Sequence, residues 1–336
     1  FACATLPLQA AGLDALTWTT TDGEVIITDC DTEAAGELVI PETIEGKPVT
    51  SVGICVRIPH RGITYGGGVF YKCTNLTSIT IPDSVTSIGD RAFYKCTSLA
   101  SITIPDSVTI IGDSAFYKCT SLTSITIGNS VTSIGGWAFE SCSSLTSITI
   151  PDSVTSIDRS TFDLCSSLMG ITIPESVTSI GRDAFKSCTS LTSITIPDSV
   201  TSIGSGAFRF CTKLESITMP DGVTVIVNNT FKGCTNLTRI IFGAESQLGN
   251  IGSWAFHDCT SLERITIPDS VTSIGHAAFL SCESLTRIII PDGVTSIERS
   301  TFSSCTNLTS ITIGNGVTSI RGSAFSSCTN LTRIIF

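Results

Sequence analysis

The chain is poor in charge, poor in aromatic side chains and nearly free of methionine and histidine. Asp, Glu, Lys and Arg make up 14% of its 336 residues and Phe, Trp and Tyr 7%, with 2 Met and 3 His. His60, His257 and His276 lie in different segments, without carboxylates or cysteines at metal-ligand spacing, so neither a metal centre nor a histidine-based catalytic group is indicated. A basic excess is also lacking. Lys and Arg number 19 against 29 Asp and Glu, a net charge of −10, which argues against general affinity for nucleic acid or anionic membranes. No apolar run approaches the roughly 20 residues of a membrane helix. Gly66-Gly67-Gly68 is not followed by Lys-Ser or Lys-Thr, so no phosphate loop is indicated. The expectation is a non-enzymatic protein with no cofactor, no metal and no membrane span.

Cysteine, in contrast, is abundant and regular. Cys73, Cys96, Cys119, Cys142, Cys165, Cys188, Cys211, Cys234, Cys259, Cys282, Cys305 and Cys328 recur every 23 residues, with one step of 25 between Cys234 and Cys259. A residue returning at a fixed interval inside a repeating segment occupies one place in a stacked unit, so residues 37–336 are expected to form a solenoid of about 12–13 coils. Twelve thiols in one inward column act as small buried hydrophobes, and their parallel side-chain directions make disulfide dihedrals hard to reach. The column is expected to be reduced. Of the cysteines outside the register, Cys30 and Cys55 are the one pair considered for a bridge.

One coil can be read from Cys96 to Lys118. Leu99 to Ile104 alternates with β-branched residues and is a strand, which Pro105-Asp106 ends in a turn. Val108 to Ile111 makes a second short extended segment. Gly112-Asp113 then opens a helical or 3-10 turn that carries Ala115 and Phe116 inward. A single coil cannot offset the entropy of ordering its backbone, so neighbours must bury its flat surfaces and pair its strands into parallel sheets. Residues 16–36, with Asp22-Gly23 between alternating strands, are expected to be a β-hairpin cap. Residues 1–15, beginning at Phe and rich in small apolar side chains, read as a signal remnant or processed N-terminal segment.

Leu-x-x-Ile-x-Ile-x-x-Ser-Val at Leu76–Val85, followed by Thr-Ser-Ile-Gly, Ala-Phe and the registered Cys, resembles the BspA-like leucine-rich repeats of bacterial surface proteins. Ser or Gly stands where the leucine-rich repeat usually has Asn. The resemblance implies a right-handed leucine-rich coil with a parallel sheet on a concave face. It also implies secretion or surface exposure and a role in adhesion or binding.

Repeated residues are explained by stacking, so specificity is sought where the repeat breaks. The outward strand positions lie four, five and seven residues after each Cys. They are nearly constant Thr and Ser in early coils, and change to Glu215, Arg239 with Ile241, Glu263 with Arg264, Arg287 with Ile289, and Arg333 with Ile335. Exposed guanidinium and aliphatic groups side by side suit a protein or glycan ligand. Neutral drift on a solvated face accounts for them equally well. Two irregularities add to this: the enlarged turn from Phe242 to Gly252, and the insertion at residues 54–68 with Arg57, His60 and Arg61. The Asp column after the strand proline is read as a turn device and not as a calcium site. At the last coil, Leu331, Ile334 and Phe336 have no covering coil. This suggests the alternative of a subunit that stacks head to tail, with copies of itself as partners, into an extracellular filament.

Overall fold

The computed structural model describes residues 11–53 and 68–336. It shows parallel-strand solenoid coils with a single 3-10 turn, Leu13–Ala15, as the only helix among the described residues. By contacts the chain divides into two compact units, residues 1–154 and 155–336.

In the first unit the hairpin forms as expected. Leu16–Thr21 pairs antiparallel with Glu24–Cys30 across Asp22 (φ 53°) and Gly23 (φ 86°), the left-handed pair of a type I′ turn. The hairpin does not stand apart. Its second strand pairs in parallel with Lys47–Val52, which continues into the short strands Ser87–Ile88, Ile110–Ile111 and Ser133–Ile134. A second small hairpin, Thr43–Ile44 against Lys47–Val52, turns at Glu45 and Gly46, both with positive φ. The longer strands make a separate sheet, in which Ala35–Val39, Asn75–Thr80, Ser101–Ile104 and Ser124–Ile127 stack in parallel.

Between the two sheets lies a core of columns. Phe70, Phe93, Phe116 and Phe139 stack face to face with centroids 5.0–5.3 Å apart. In the second unit Phe162 to Phe325 continue in the same way at 5.2–5.6 Å. The rings from Phe70 to Phe302 have no accessible surface.

The cysteine column does more than fill space. In the first unit the thiols of Cys96, Cys119 and Cys142 donate to the carbonyls of Phe70, Phe93 and Phe116, 26 residues earlier, at 3.0–3.1 Å. In the second, the thiols from Cys188 to Cys328 repeat the contact at 3.0–3.2 Å. Each of these carbonyls also accepts the backbone N–H of the cysteine three residues on, as Phe93 does from Cys96 at 3.2 Å, so the thiol fills the second acceptor site of a buried carbonyl. Every described cysteine is a free thiol. Cys55 lies outside the described residues. Cys30 is buried beside Cys73, and both thiols lie 3.6 Å from the Asp31 carbonyl.

The expected helical turn after each short strand takes another form. Ser114, Phe116 and Lys118 donate their backbone N–H groups forward to Gly136, Ala138 and Glu140 of the next coil at 2.7–2.8 Å. Tyr117 and Cys119 fold back on Ser114 and Phe116 three residues earlier. A 3-10 run would turn all of these groups inward along the chain, whereas alternation gives half of them to the neighbour. The consequence is two left-handed residues per coil, such as Ser114 (φ 55°) and Lys118 (φ 58°). Each costs about 1 kcal/mol in an L-residue, which the inter-coil bonds offset. Gly135 is required for close approach, because a Cβ there would lie 2.6 Å from the Asp113 backbone nitrogen.

Burial holds the column thiols in their neutral form. It pushes Cys142 up to about 12, and it raises Cys188, Cys211 and Cys234 well above their ordinary value of 9.0. A group whose pKa is higher in the folded than in the unfolded chain keeps its full stabilisation below the unfolded value, and loses it as pH rises toward the folded one. The solenoid is therefore expected to weaken from about pH 9 upward, each thiol contributing up to about 1.4 kcal/mol per pH unit. Thermal midpoints recorded between pH 7 and 11 check this: a steep fall above pH 9 is expected, and a flat profile contradicts it.

Candidate functional site

The strand face of the second unit is assembled by register. Ser216 pairs with Arg239 in the parallel ladder, and Arg287 with Ser310, which in turn pairs with Arg333. Arg239 bridges to Arg264. The residues five after each Cys therefore form one column in which Arg239, Arg264 and Arg287 follow each other in successive coils. Ile241 and Ile289 occupy the column two residues further on and are 41% and 59% exposed. Buried Ile240, Ile265 and Ile288 anchor the same segments from below.

Three like charges one coil apart repel, and among the described residues none of these arginines closes an ion pair. Glu215 and Glu263 are exposed on the adjacent column and leave the local balance positive.

Where the column four after each Cys is threonine, its hydroxyl turns to the neighbouring coil. Thr238 donates its hydroxyl to the Glu215 carbonyl at 3.0 Å, Thr309 to Thr286 at 3.0 Å, and in the first unit Thr123 to Ala100 at 3.1 Å. These hydroxyls cap the neighbouring coil's backbone. Glu215 and Glu263 are the carboxylates that replace this capping hydroxyl.

Strand pairing lapses twice on this face. At Thr195 and at Arg264 the sheet is reduced to isolated bridges, with Thr172 and with Arg239. The second lapse adjoins the enlarged turn from Phe242 to Gly252. The enlargement is absorbed locally. Phe231 still stacks on Phe256 at 5.5 Å, and Cys259 reaches the Phe231 carbonyl at 3.1 Å across 28 residues instead of 26. Where the lapse and the enlargement meet, a hollow of about 590 Å³ opens, lined by Glu215, Arg239, Ile241, Glu263, Arg264 and Thr266. A second hollow of about 440 Å³ shares Ile241 and Thr266, and is bounded by Phe242, Ala244 and Asp269. Five of the substituted residues, Glu215, Arg239, Ile241, Glu263 and Arg264, therefore line this depression.

Other candidate residues fall elsewhere. Arg57, His60 and Arg61 lie outside the described residues. Leu331 is half-buried, whereas Ile334 and Phe336 are exposed. Arg333 is separated from the arginine run by Ser310. His257 pairs with Asp258 at 3.2 Å and is held toward its neutral form by burial. His276 hydrogen-bonds the Arg299 carbonyl at 2.7 Å and meets Trp254 edge-on. Among the described residues no group of three His, Cys, Asp or Glu is placed to hold a metal ion. The Asp column serves the backbone: Asp106 accepts from the Asn129 N–H at 2.7 Å and Asp292 from that of Asn315 at 2.8 Å.

The lapse has a measurable consequence. Amides with few ladder bonds exchange with solvent through low-energy local opening. Ile265 and Thr266 are expected to exchange at least about tenfold faster than Ile311 and Thr312, whose strand is paired on both sides. Equal protection in hydrogen–deuterium exchange would remove the depression's structural basis.

The family profile for the BspA type leucine rich repeat region, in six copies, matches residues 63–191, 155–248 and 244–336. A leucine rich cell surface protein from Faecalibacterium prausnitzii is 34% identical, with 96% of this chain and 93% of that one covered and a TM-score of 0.62. A leucine-rich repeat protein from Bacteroides ovatus is 30% identical over the same shares, also with a TM-score of 0.62. The pneumococcal vaccine antigen PcpA shares the fold at 20% identity, with 97% of this chain and 87% of that one covered and a TM-score of 0.52. No curated protein matches the chain.

Proposed function

Starting from the chain's membership of the BspA-type leucine-rich repeat family, we propose that it is a non-enzymatic, secreted or surface-exposed binding protein. Its ligand face is the strand face around Arg239, Arg264 and Arg287. The observation that carries this reading is the run of three arginines without ion pairs beside exposed Ile241 and Ile289, with Arg239, Arg264 and Ile241 lining a hollow on that face. The arginines are not needed for folding, since Ser101 and Ser124 occupy the same column in regular strands. Arginine beside exposed aliphatic groups suits a protein segment that carries carboxylates between apolar side chains, because guanidinium pairs with carboxylate in two parallel hydrogen bonds. The family supports a protein-binding role at the cell surface, and adhesion is the finer form of it proposed here.

A phage-displayed random peptide library selected on the purified protein tests the assignment. Selected peptides should be enriched in Asp and Glu flanking hydrophobic residues. Changing Arg239, Arg264 and Arg287 together to Ser should weaken them about a hundredfold or more, as loss of interface anchors does, with the thermal midpoint nearly unchanged. Peptides that bind the variant as tightly as the parent protein would sink the patch. Ordered fibres of the purified protein under the electron microscope would favour the self-assembling alternative.

A further inference from the structure

The turn edge of the first unit carries a different surface. The tripeptide Tyr-Lys-Cys occurs at residues 71–73, 94–96 and 117–119 and nowhere else in the chain. Its cysteine enters the core column, and the two residues before it remain at the surface. In-register stacking sets the Tyr71, Tyr94 and Tyr117 rings face to face, with centroids 5.2 and 4.6 Å apart and planes within 18°. The facing sides of the rings cover each other, and all three tyrosines remain partly exposed.

Each lysine lies against its own tyrosine. The ammonium groups of Lys72, Lys95 and Lys118 stand 5.0, 5.5 and 5.3 Å from the ring centroids, and the Arg91 guanidinium 5.9 Å from that of Tyr94. Among the described residues none of the three ammonium groups makes an ion pair. Folding does not call for lysine here, because Gly233 and Ser281 take the same left-handed position in other coils. The result is one cation and one phenol per coil, in a row along the edge of an acidic protein.

We propose that this edge binds an acidic polysaccharide, an extended chain carrying carboxylate or sulfate groups at regular intervals. Stacked coils space the cations by about 4.8 Å, and a linear array of anionic groups relieves their mutual repulsion. Sugar hydroxyls donate and accept, as do the tyrosine hydroxyls beside each cation. Single-stranded nucleic acid binds through bases stacked on open aromatic faces, and here those faces are taken by neighbouring tyrosines. An acidic peptide offers the charge without the row of hydroxyls.

The edge belongs to the first unit and does not rest on the strand-face reading. Binding is measured at about 0.15 M salt with heparin as the sulfated probe and alginate as the carboxylated one, against polyglutamate and neutral dextran. At least one acidic polysaccharide is expected to bind, and which of the two it is assigns the anionic group. Changing Lys72, Lys95 and Lys118 together to Gln keeps side-chain stems on the rings and removes only charge. That variant should bind at least about tenfold more weakly, with the slope of log affinity against log salt reduced by roughly 3. Tyr94→Phe with Tyr117→Phe keeps the stack and should weaken binding severalfold. The proposal is overturned if neither polysaccharide binds, if the Gln variant binds unchanged, or if polyglutamate binds as tightly as the better polysaccharide.

Discussion

Each coil is registered on its neighbour by a pair of core contacts repeated along each unit. A phenylalanine ring stacks on the ring of the coil before, and a cysteine thiol donates to a phenylalanine carbonyl one coil earlier. The first contact is apolar and tolerant of small shifts. The second is directional and fixes the backbone. Because the pair recurs with every coil, the strands on either side need only short ladders to stay aligned, and in places they have almost none. The enlarged turn after Phe242 shows the order of importance. Two additional residues are accommodated at the strand face, while the thiol still reaches the carbonyl of Phe231.

This division frees the outward columns. Five residues after the cysteine, Ser310 pairs in one ladder with Arg287 on one side and Arg333 on the other, so substitution there changes the surface and leaves the core alone. Arg239, Arg264 and Arg287 in the second unit use that freedom on the strand face. Tyr71, Tyr94 and Tyr117 with their lysines use it on the turn edge of the first. Both surfaces are lines of chemistry with a one-coil period, which only an in-register stack produces.

Much of this was legible in the sequence. The cysteine spacing specified the coil, alternation around Ile102 and Ile104 specified which side chains face in, and Asp22-Gly23 specified the hairpin. What escaped was where backbone groups point between coils. A cysteine column reads as packing, because nothing in the spacing places a carbonyl opposite each thiol. The turn before Phe116 reads as 3-10, because the forward bonds to Ala138 join residues 22 positions apart. Alternation at Glu263 to Ile267 matches that at Arg287 to Ile290, yet the former yields only a bridge at Arg264: pattern selects a face and does not bring backbones to hydrogen-bonding distance. The Glu45-Gly46 turn and the recurring Tyr-Lys are both written plainly in the sequence. The threonines four after each cysteine read only as outward-facing, and their hydroxyls also cap the neighbouring coil's backbone.

The central claim is that core columns carry the stability and face columns are free of it. Equilibrium urea denaturation of two variants in the second unit tests it directly. Cys234→Ala removes one of the two donors to the Phe208 carbonyl and empties buried volume, and is predicted to cost about 2 kcal/mol, whereas Arg264→Ser is predicted to stay within about 0.5 kcal/mol of the parent. Equal losses, or a larger loss at Arg264, would contradict the account.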